Sequence, residues 1–168
     1  MAKNILKAGF QLVATTSSAE KAEAFRGLGA EIVDSPAEIA IRTTLIVTCV
    51  PDAAALRQTL SGESGLASAS WEGGLLVDCS TIAPFEAEEM AAALADVGAA
   101  LVDAPVSGGR KGAEEGKLTI MCGGSDADFA RARPVLDAMG TNIHHVGPLG
   151  AGQAVKACNQ LMVAVNMM

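Results

Sequence analysis

The apolar positions of this chain change period repeatedly, and Gly and Pro mark most of the changes. Met1–Ala8 has helical spacing, with Gly9 as its stop. Gln11–Thr15 reads as a strand. Ser17 and Glu20 are spaced as a capping box for a helix that ends near Gly27–Gly29. Glu31–Val33 is a short strand, and Ser35, Pro36 and Glu38 take the N-cap, N1 and N3 places of a short helix. Thr44–Val50 (TLIVTCV) is an unbroken apolar run rich in β-branched residues, as a parallel strand buried on both faces requires. Leu75–Asp78 is a second such run, with a helix over Asp52–Leu60 between them. An Ala-rich helix over Pro84–Val97 stops at Gly98, and the strand Ala100–Val102 leads into a Gly-rich loop. Strands Leu118–Cys122 and Ile143–Val146 flank a helix over Asp126–Met139 that Ser125 caps. Gly147–Gly152 breaks the chain before a last helix that runs to Met168. Strand–helix alternation of this kind predicts an α/β fold with a doubly wound, mostly parallel sheet.

Both ends depart from that pattern. The chain opens on a helix without the strand that should feed it, and closes on LMVAVNMM, apolar at all but Asn166. An apolar terminus ordinarily docks on something, so a segment of a longer chain is expected.

Composition narrows the function classes. Half of the residues are hydrophobic and 18% are charged, enough to bury a core. Nineteen acidic residues against 12 basic leave a net charge of −7, and aromatics are 3%, so no nucleic-acid partner is expected. The chain has no Tyr, which excludes a tyrosine hydroxyl as catalytic acid. Cys49, Cys79, Cys122 and Cys158 form no C-x-x-C pair, so neither a metal site nor a disulfide framework is expected. Reduced, buried cysteines in a cytoplasmic protein fit instead. No run approaches the 18 or so apolar residues of a membrane span, and no membrane partner is expected.

Doubly wound sheets bind ligands outside the carboxyl ends of their strands. Thr15–Ser18, Val50–Asp52, Asp78–Thr81 and Asp103–Gly109 each follow a strand directly. In the last of these, two glycines after Ser107 let the backbone approach a ligand and leave N–H donors free, a grip for a carboxylate. Read blandly, the same dipeptide is an ordinary turn. In the final helix, Gln153, Lys156, Gln160 and Val163 fall within about 80° of one another at 100° per residue, with Asn159 beside them. A desolvated lysine on that stripe can move a proton, although a lone helical lysine is ordinarily solvated. Gly150-Ala151-Gly152 lacks the third glycine of a dinucleotide loop, and His144-His145 reads as structural or solvated.

Three ordered motifs carry a resemblance. DAPVSGG (103–109), G-x-L-T-I-M-x-G-G (116–124) and H-V-G-x-x-G-A-G-Q-x-x-K-x-x-N (145–159) are together similar to the β-hydroxyacid dehydrogenases. That family includes 3-hydroxyisobutyrate dehydrogenase and tartronate semialdehyde (2-hydroxy-3-oxopropionate) reductase. MAKNILKAG, SPAEIA, V-P-D and DCSTIAP resemble it as well, so the likeness spans nearly the whole chain. It implies a Rossmann-like domain and an NAD(P)-dependent oxidoreductase acting on a small carboxylate substrate, a homo-oligomer when complete. It implies Lys156 as the catalytic lysine, and Ser107, Gly108 and Gly109 as the carboxylate clamp. Asn159 and Gln160 would contact substrate. Val50, Pro51 and Thr81, with Thr16 and Ser17 after the second strand of the family fold, would contact cofactor. Thr15-Thr16-Ser17 offers hydroxyls and no acid, which leans to NADP over NAD. Gln160 stands where hydroxyisobutyrate enzymes more often carry Asn, which favours the tartronate semialdehyde branch. By this resemblance the family's first strand with its glycine loop, and its all-helical second domain, are expected to be missing here. The resemblance therefore implies an incomplete NAD(P)-binding domain over residues 1–152 and the start of an interdomain helix over 153–168. The competing expectation is an inactive remnant that serves as a nucleotide-binding or interaction module.

Overall fold

The computed structural model describes residues 1–16, 18–68 and 70–166. Helix α1 (Ala2–Lys7) ends at Gly9, whose φ of +89° turns the chain out of the helix without a Cβ penalty. Strand β1 (Val13–Ala14), helix α2 (Ala19–Arg26) and strand β2 (Glu31–Ile32) follow. The N-cap of α2 is Ser18, whose side chain accepts from the Lys21 N–H at 3.3 Å. Ser17, the expected cap and a candidate cofactor contact, lies outside the described residues. Helix α3 (Pro36–Ala40) begins as anticipated, with Ser35 accepting from the Glu38 N–H and Pro36 in the first turn.

A six-stranded sheet then forms from β3 (Leu45–Thr48), β4 (Leu75–Asp78), β5 (Ala100–Asp103), β6 (Val106–Ser107), β7 (Leu118–Gly123) and β8 (Gly140–Gly147). The strands run in the order β3-β4-β5-β7-β6, and β8 also pairs with β7. The ladders β3–β4, β4–β5 and β7–β8 are parallel; β7 meets β5 and β6 antiparallel. The connecting helices are α4 (Ala53–Leu60), α5 (Pro84–Ala95), α6 (Gly109–Glu115) and α7 (Asp126–Asp137), and α8 (Ala151–Asn166) closes the described chain. This is the expected doubly wound, mostly parallel α/β architecture. The segment after β5 differs from the free Gly-rich loop expected there: Val106 and Ser107 pair with Ile120 and Thr119, and α6 starts at Gly109.

Alternate residues of the sheet feed two cores. Leu75, Val77 and Val102 pack with Ile5, Val135 and Leu136 on one face. Leu76, Leu101 and Ile46 pack with Ile39, Leu56, Leu60 and Leu94 on the other. β4 is buried at every position, as its composition predicts, but β3 alternates between half-buried and buried. Among the described residues β3 pairs only with β4. β1 and β2 form a separate two-stranded sheet, and a cavity of about 700 Å³ is lined by Val13 and Ala14 on one side and Leu45–Thr48 on the other. Cys79 and Cys122 are buried, whereas Cys49 and Cys158 are exposed, contrary to the burial expected of all four; all four are free thiols.

Helix α8 inverts the ordinary arrangement of an amphipathic helix. Its buried residues are Gly152, Gln153 and Lys156, while Val155, Leu161, Met162, Val163 and Val165 face outward. A Cβ at Gly152 would run into the Met121 carbonyl oxygen and the Asp103 carboxylate, so this glycine lets α8 approach β7 closely. Among the described residues no helix is long and apolar enough to cross a membrane.

Candidate active site

The register aligns Thr48, Asp78, Asp103 and Gly123 in one row at the ends of β3, β4, β5 and β7. The two acids of that row have different tasks. Asp103 is fully buried and accepts from the Gly150 N–H through Oδ1 and from the Gln153 N–H through Oδ2, each at 2.8 Å. A carboxylate thus satisfies backbone donors that the first turn of α8 leaves unpaired. Burial pushes the Asp103 carboxyl above the ordinary carboxylate range, and the two amide bonds oppose the shift.

Gln153 carries the fixation onward. Its Nε2 donates to the Ser80 carbonyl at 2.8 Å and its Oε1 accepts from the Ile82 N–H at 3.2 Å. The loop holding Thr81 is thereby clamped on both sides of that residue, and Thr81 itself is exposed. The expected open polar stripe is at this position a buried structural tie.

Lys156 lies one turn further along α8. It is 7% exposed, and its Nζ donates to the Val106 carbonyl at 2.7 Å. The lysine is therefore not a solvated surface group. Burial lowers its proton affinity below the ordinary lysine value. The bond to the Val106 carbonyl brings the ammonium to the peptide that joins Val106 to the half-buried Ser107; Gly108 and Gly109 follow, exposed, with φ of +132° and +60°. A Cβ at Gly108 would press against Leu118 at 3.2 Å, so both conformation and space ask for glycine there. Asn159, half-buried, and Gln160, exposed, continue the same helix; the Asn159 amide donates to the Gln160 side chain at 3.4 Å.

The second cluster sits at the ends of β3 and β4. Asp78 Oδ1 accepts from Thr48 Oγ1 at 2.8 Å and from Ser80 Oγ at 2.6 Å. Ser80 Oγ in turn accepts from the Val50 N–H at 2.9 Å. The turn carrying Val50 and the exposed Pro51 is therefore pinned to the end of β4. Asp78 Oδ2 is buried without a partner, and burial raises this carboxyl's proton affinity. Thr16, half-buried after β1, accepts from the Ser18 N–H at 3.2 Å. Thus the structure brings Lys156 and the Ser107–Gly109 segment together, and sets Val50, Pro51, Thr81 and Thr16 along strand ends.

The sequence motifs set aside as unrelated have structural employment. Gly150 adopts φ of +84° at the entry to α8, and Gly152 makes the close approach described above. His145 stacks on Phe129 at a centroid distance of 4.6 Å, and its Nε2 lies 2.9 Å from the Gly124 carbonyl. Among the described residues no group of three His, Cys, Asp or Glu could hold a metal ion. The sequence puts Asp103 and Ser80 in strand-end segments and Gln153 on the helical stripe, but assigns none of the three its structural role. Asp78 and Asp103 end apolar strands, which was the available signal; their roles depend on contacts from residues 47 to 50 positions away or across the sheet.

Residues 1–147 match the NAD binding domain of 6-phosphogluconate dehydrogenase. The chain is 38% identical over 167 residues to the mitochondrial 3-hydroxyisobutyrate dehydrogenase of Bos taurus, covering 99% of this chain and 50% of that protein. It is 40% identical over 167 residues to the 2-(hydroxymethyl)glutarate dehydrogenase of Eubacterium barkeri, covering 99% of this chain and 56% of that one. The crystal structure of a 3-hydroxyisobutyrate dehydrogenase from Salmonella typhimurium superposes with a TM-score of 0.90 at 35% identity, over 98% of this chain and 58% of that one. The chain thus spans about half the length of the curated relatives it matches. Match, fold and strand-end residues agree: the chain belongs to the β-hydroxyacid dehydrogenase family, in its nicotinamide-nucleotide-binding domain.

Proposed function

We propose that this chain provides the cofactor-binding and proton-transfer half of an NAD(P)-dependent dehydrogenase for a small 3-hydroxy acid. The observation that carries the reading is the buried Lys156, held at 2.7 Å from the Val106 carbonyl and so beside Ser107. The fit to a nicotinamide cofactor rests on the strand ends: a pinned Val50 turn and exposed Pro51 and Thr81 stand where a doubly wound sheet binds nucleotides. A bound nicotinamide supplies or accepts the hydride. The Ser107 hydroxyl and the Gly108 and Gly109 amides anchor the substrate carboxylate. Lys156 gives a proton to the carbonyl oxygen during reduction and takes the hydroxyl proton during oxidation; its lowered proton affinity suits both directions. Asn159 and Gln160 orient the substrate hydroxyl from the next turn. Thr16 and its neighbours offer hydroxyls without a carboxylate, which favours a 2′-phosphate and hence NADP. The named relatives act on branched 3-hydroxy acids by their names, and 3-hydroxyisobutyrate is the first substrate to assay. Gln160 favours a second reading, the reduction of 2-hydroxy-3-oxopropionate.

The test uses a chimera that adds the part of the bovine relative this chain does not match. Turnover of either substrate with NADP+/NADPH is expected. In that chimera Lys156→Ala lowers kcat by about 10²–10⁴-fold with nucleotide affinity nearly unchanged, the scale of general acid–base catalysis. Lys156→Arg does not rescue, because a guanidinium stays protonated. Ser107→Ala raises KM instead. A Lys156→Ala chimera within about twofold of the parent, far below general acid catalysis, removes the lysine from the mechanism.

A further inference from the structure

The proposed chemistry needs two groups that the chain carries on different elements. Lys156 stands on α8, whereas Thr81 and the Val50–Pro51 turn follow β4 and β3. Among the described residues only Gln153 hydrogen-bonds α8 to the loop between β4 and α5. Its partners Ser80 and Ile82 lie 73 and 71 residues away in sequence and flank Thr81. Ser80 passes the tie on, since its Oγ accepts from the Val50 N–H and donates to Asp78. One side-chain amide thus joins both candidate cofactor turns to the lysine helix. That side chain is 1% exposed, and burying an amide is costly unless both of its ends are matched. Here the donor meets the Ser80 carbonyl and the acceptor meets the Ile82 N–H, which sets distance and direction as apolar packing does not. The helix itself is placed by other contacts. Asp103 holds its first turn, and Lys156 Nζ is bonded to the Val106 carbonyl. Gln153 and Lys156 lie one turn apart on the buried face of α8.

We propose that Gln153 is a positioning residue of the reaction: it sets the separation between a nicotinamide cofactor held at the Thr81 loop and the Lys156 ammonium. This role rests on the proposed dehydrogenase chemistry. Gln153 touches neither substrate nor cofactor; it acts through the loop on one side and through α8 on the other. Without its amide, the Asp103 contacts to α8 and the bond from Lys156 to Val106 remain, so the lysine and the Ser107–Gly109 segment keep their places. Only the loop carrying Thr81 gains freedom. A loss of this kind slows turnover without weakening the grip on the substrate carboxylate, and a misplacement of about 1 Å costs on the order of 100-fold in rate.

The experiment replaces the amide by a thioether of similar length, Gln153→Met, and reads two things. In this chain, NMR should show the Ile82 amide exchanging about fivefold faster or more, the scale of one lost hydrogen bond, while Lys156 titrates as in the parent. In the chimera described above, kcat should fall by about 10–100-fold. The KM for the hydroxy acid should stay within about twofold, and the lysine limb of the pH–rate profile should not move. Gln153→Asn, whose stem is one carbon shorter and cannot span both partners, replaces Gln153→Met if that variant does not fold, and the same split is expected. Unchanged exchange at Ile82 overturns the proposal. So does an unchanged kcat in an active chimera. A shift in the lysine titration or in its limb of the pH profile overturns it as well, because the variant then disturbs the helix and not the loop alone. An inactive parent chimera removes the dehydrogenase reading itself and this role with it, a result distinct from an active parent that tolerates the substitution.

Discussion

β3 and β4 are neighbours of the same length and nearly the same chemistry, LIVT beside LLVD, paired residue for residue in parallel. β4 is buried at every position and β3 only at alternate ones. Composition does not account for the difference; among the described residues β4 has a strand on each side and β3 has one. A β-branched run reports the environment a strand is suited to, and neighbours decide whether it is supplied. The molecule divides along this line. On the β4–β8 side the cores are packed, and Lys156, Ser107 and Asp103 are held by hydrogen bonds or strand pairing. On the β1–β3 side two strand edges face a cavity.

The largest expected effect is in local stability. Amide exchange at Val77, within β4, should need global unfolding, while the Val47 and Val13 N–H groups point away from their partner strands and should exchange without it. The rates should differ on the order of a thousandfold, given how widely opening free energies spread within one domain. Equal rates would erase the distinction between the sides.

Core truncations sharpen the same contrast. Leu76 is fully buried, and Leu76→Ala should cost about 2–5 kcal/mol in urea unfolding. Val47 is half-buried on the cavity side, and Val47→Ala should cost about 1 kcal/mol. A larger loss at Val47 would mean that the β3 edge is packed in solution.

The smallest effect concerns a cost carried by the packed side. Asp78 has one buried oxygen without a partner and a raised proton affinity from burial. A carboxyl raised on folding contributes stability below its ordinary value of 3.8, and that contribution is lost as pH rises through the folded value. Asp78→Asn keeps an oxygen for Thr48 and Ser80 and abolishes the titration. The variant should therefore gain on the parent as pH rises from about 4 to 7. Urea midpoints that run parallel over that range would show that Asp78 titrates alike in the folded and unfolded chain.

The legibility of these features in the sequence follows the range of the interactions. Ser35-Pro36-Glu38 and Ser125 were readable as helix starts because a cap is made within four residues. The strand ends were readable as the place for chemistry because apolar runs stop there. Lys156 was readable as a position on a helical stripe but not as buried, since its partner, the Val106 carbonyl, lies 50 residues away. β6 was hidden because Val106 and Ser107 become a strand only by pairing with Ile120 and Thr119. The reversed face of α8 was hidden for a related reason: Asp103 draws in the polar residue Gln153 through its backbone N–H, which no side-chain pattern encodes.

The packed side holds a desolvated lysine, which under the proposed function moves the proton. NMR titration of the Lys156 side chain, assigned through its loss in Lys156→Ala, tests it on this chain directly. Titration below the ordinary lysine value of about 10.4 is predicted, because burial disfavours the ammonium and, among the described residues, no carboxylate pairs with it to offset that cost. Titration at or above that value would show a lysine that water reaches freely, and would contradict the account.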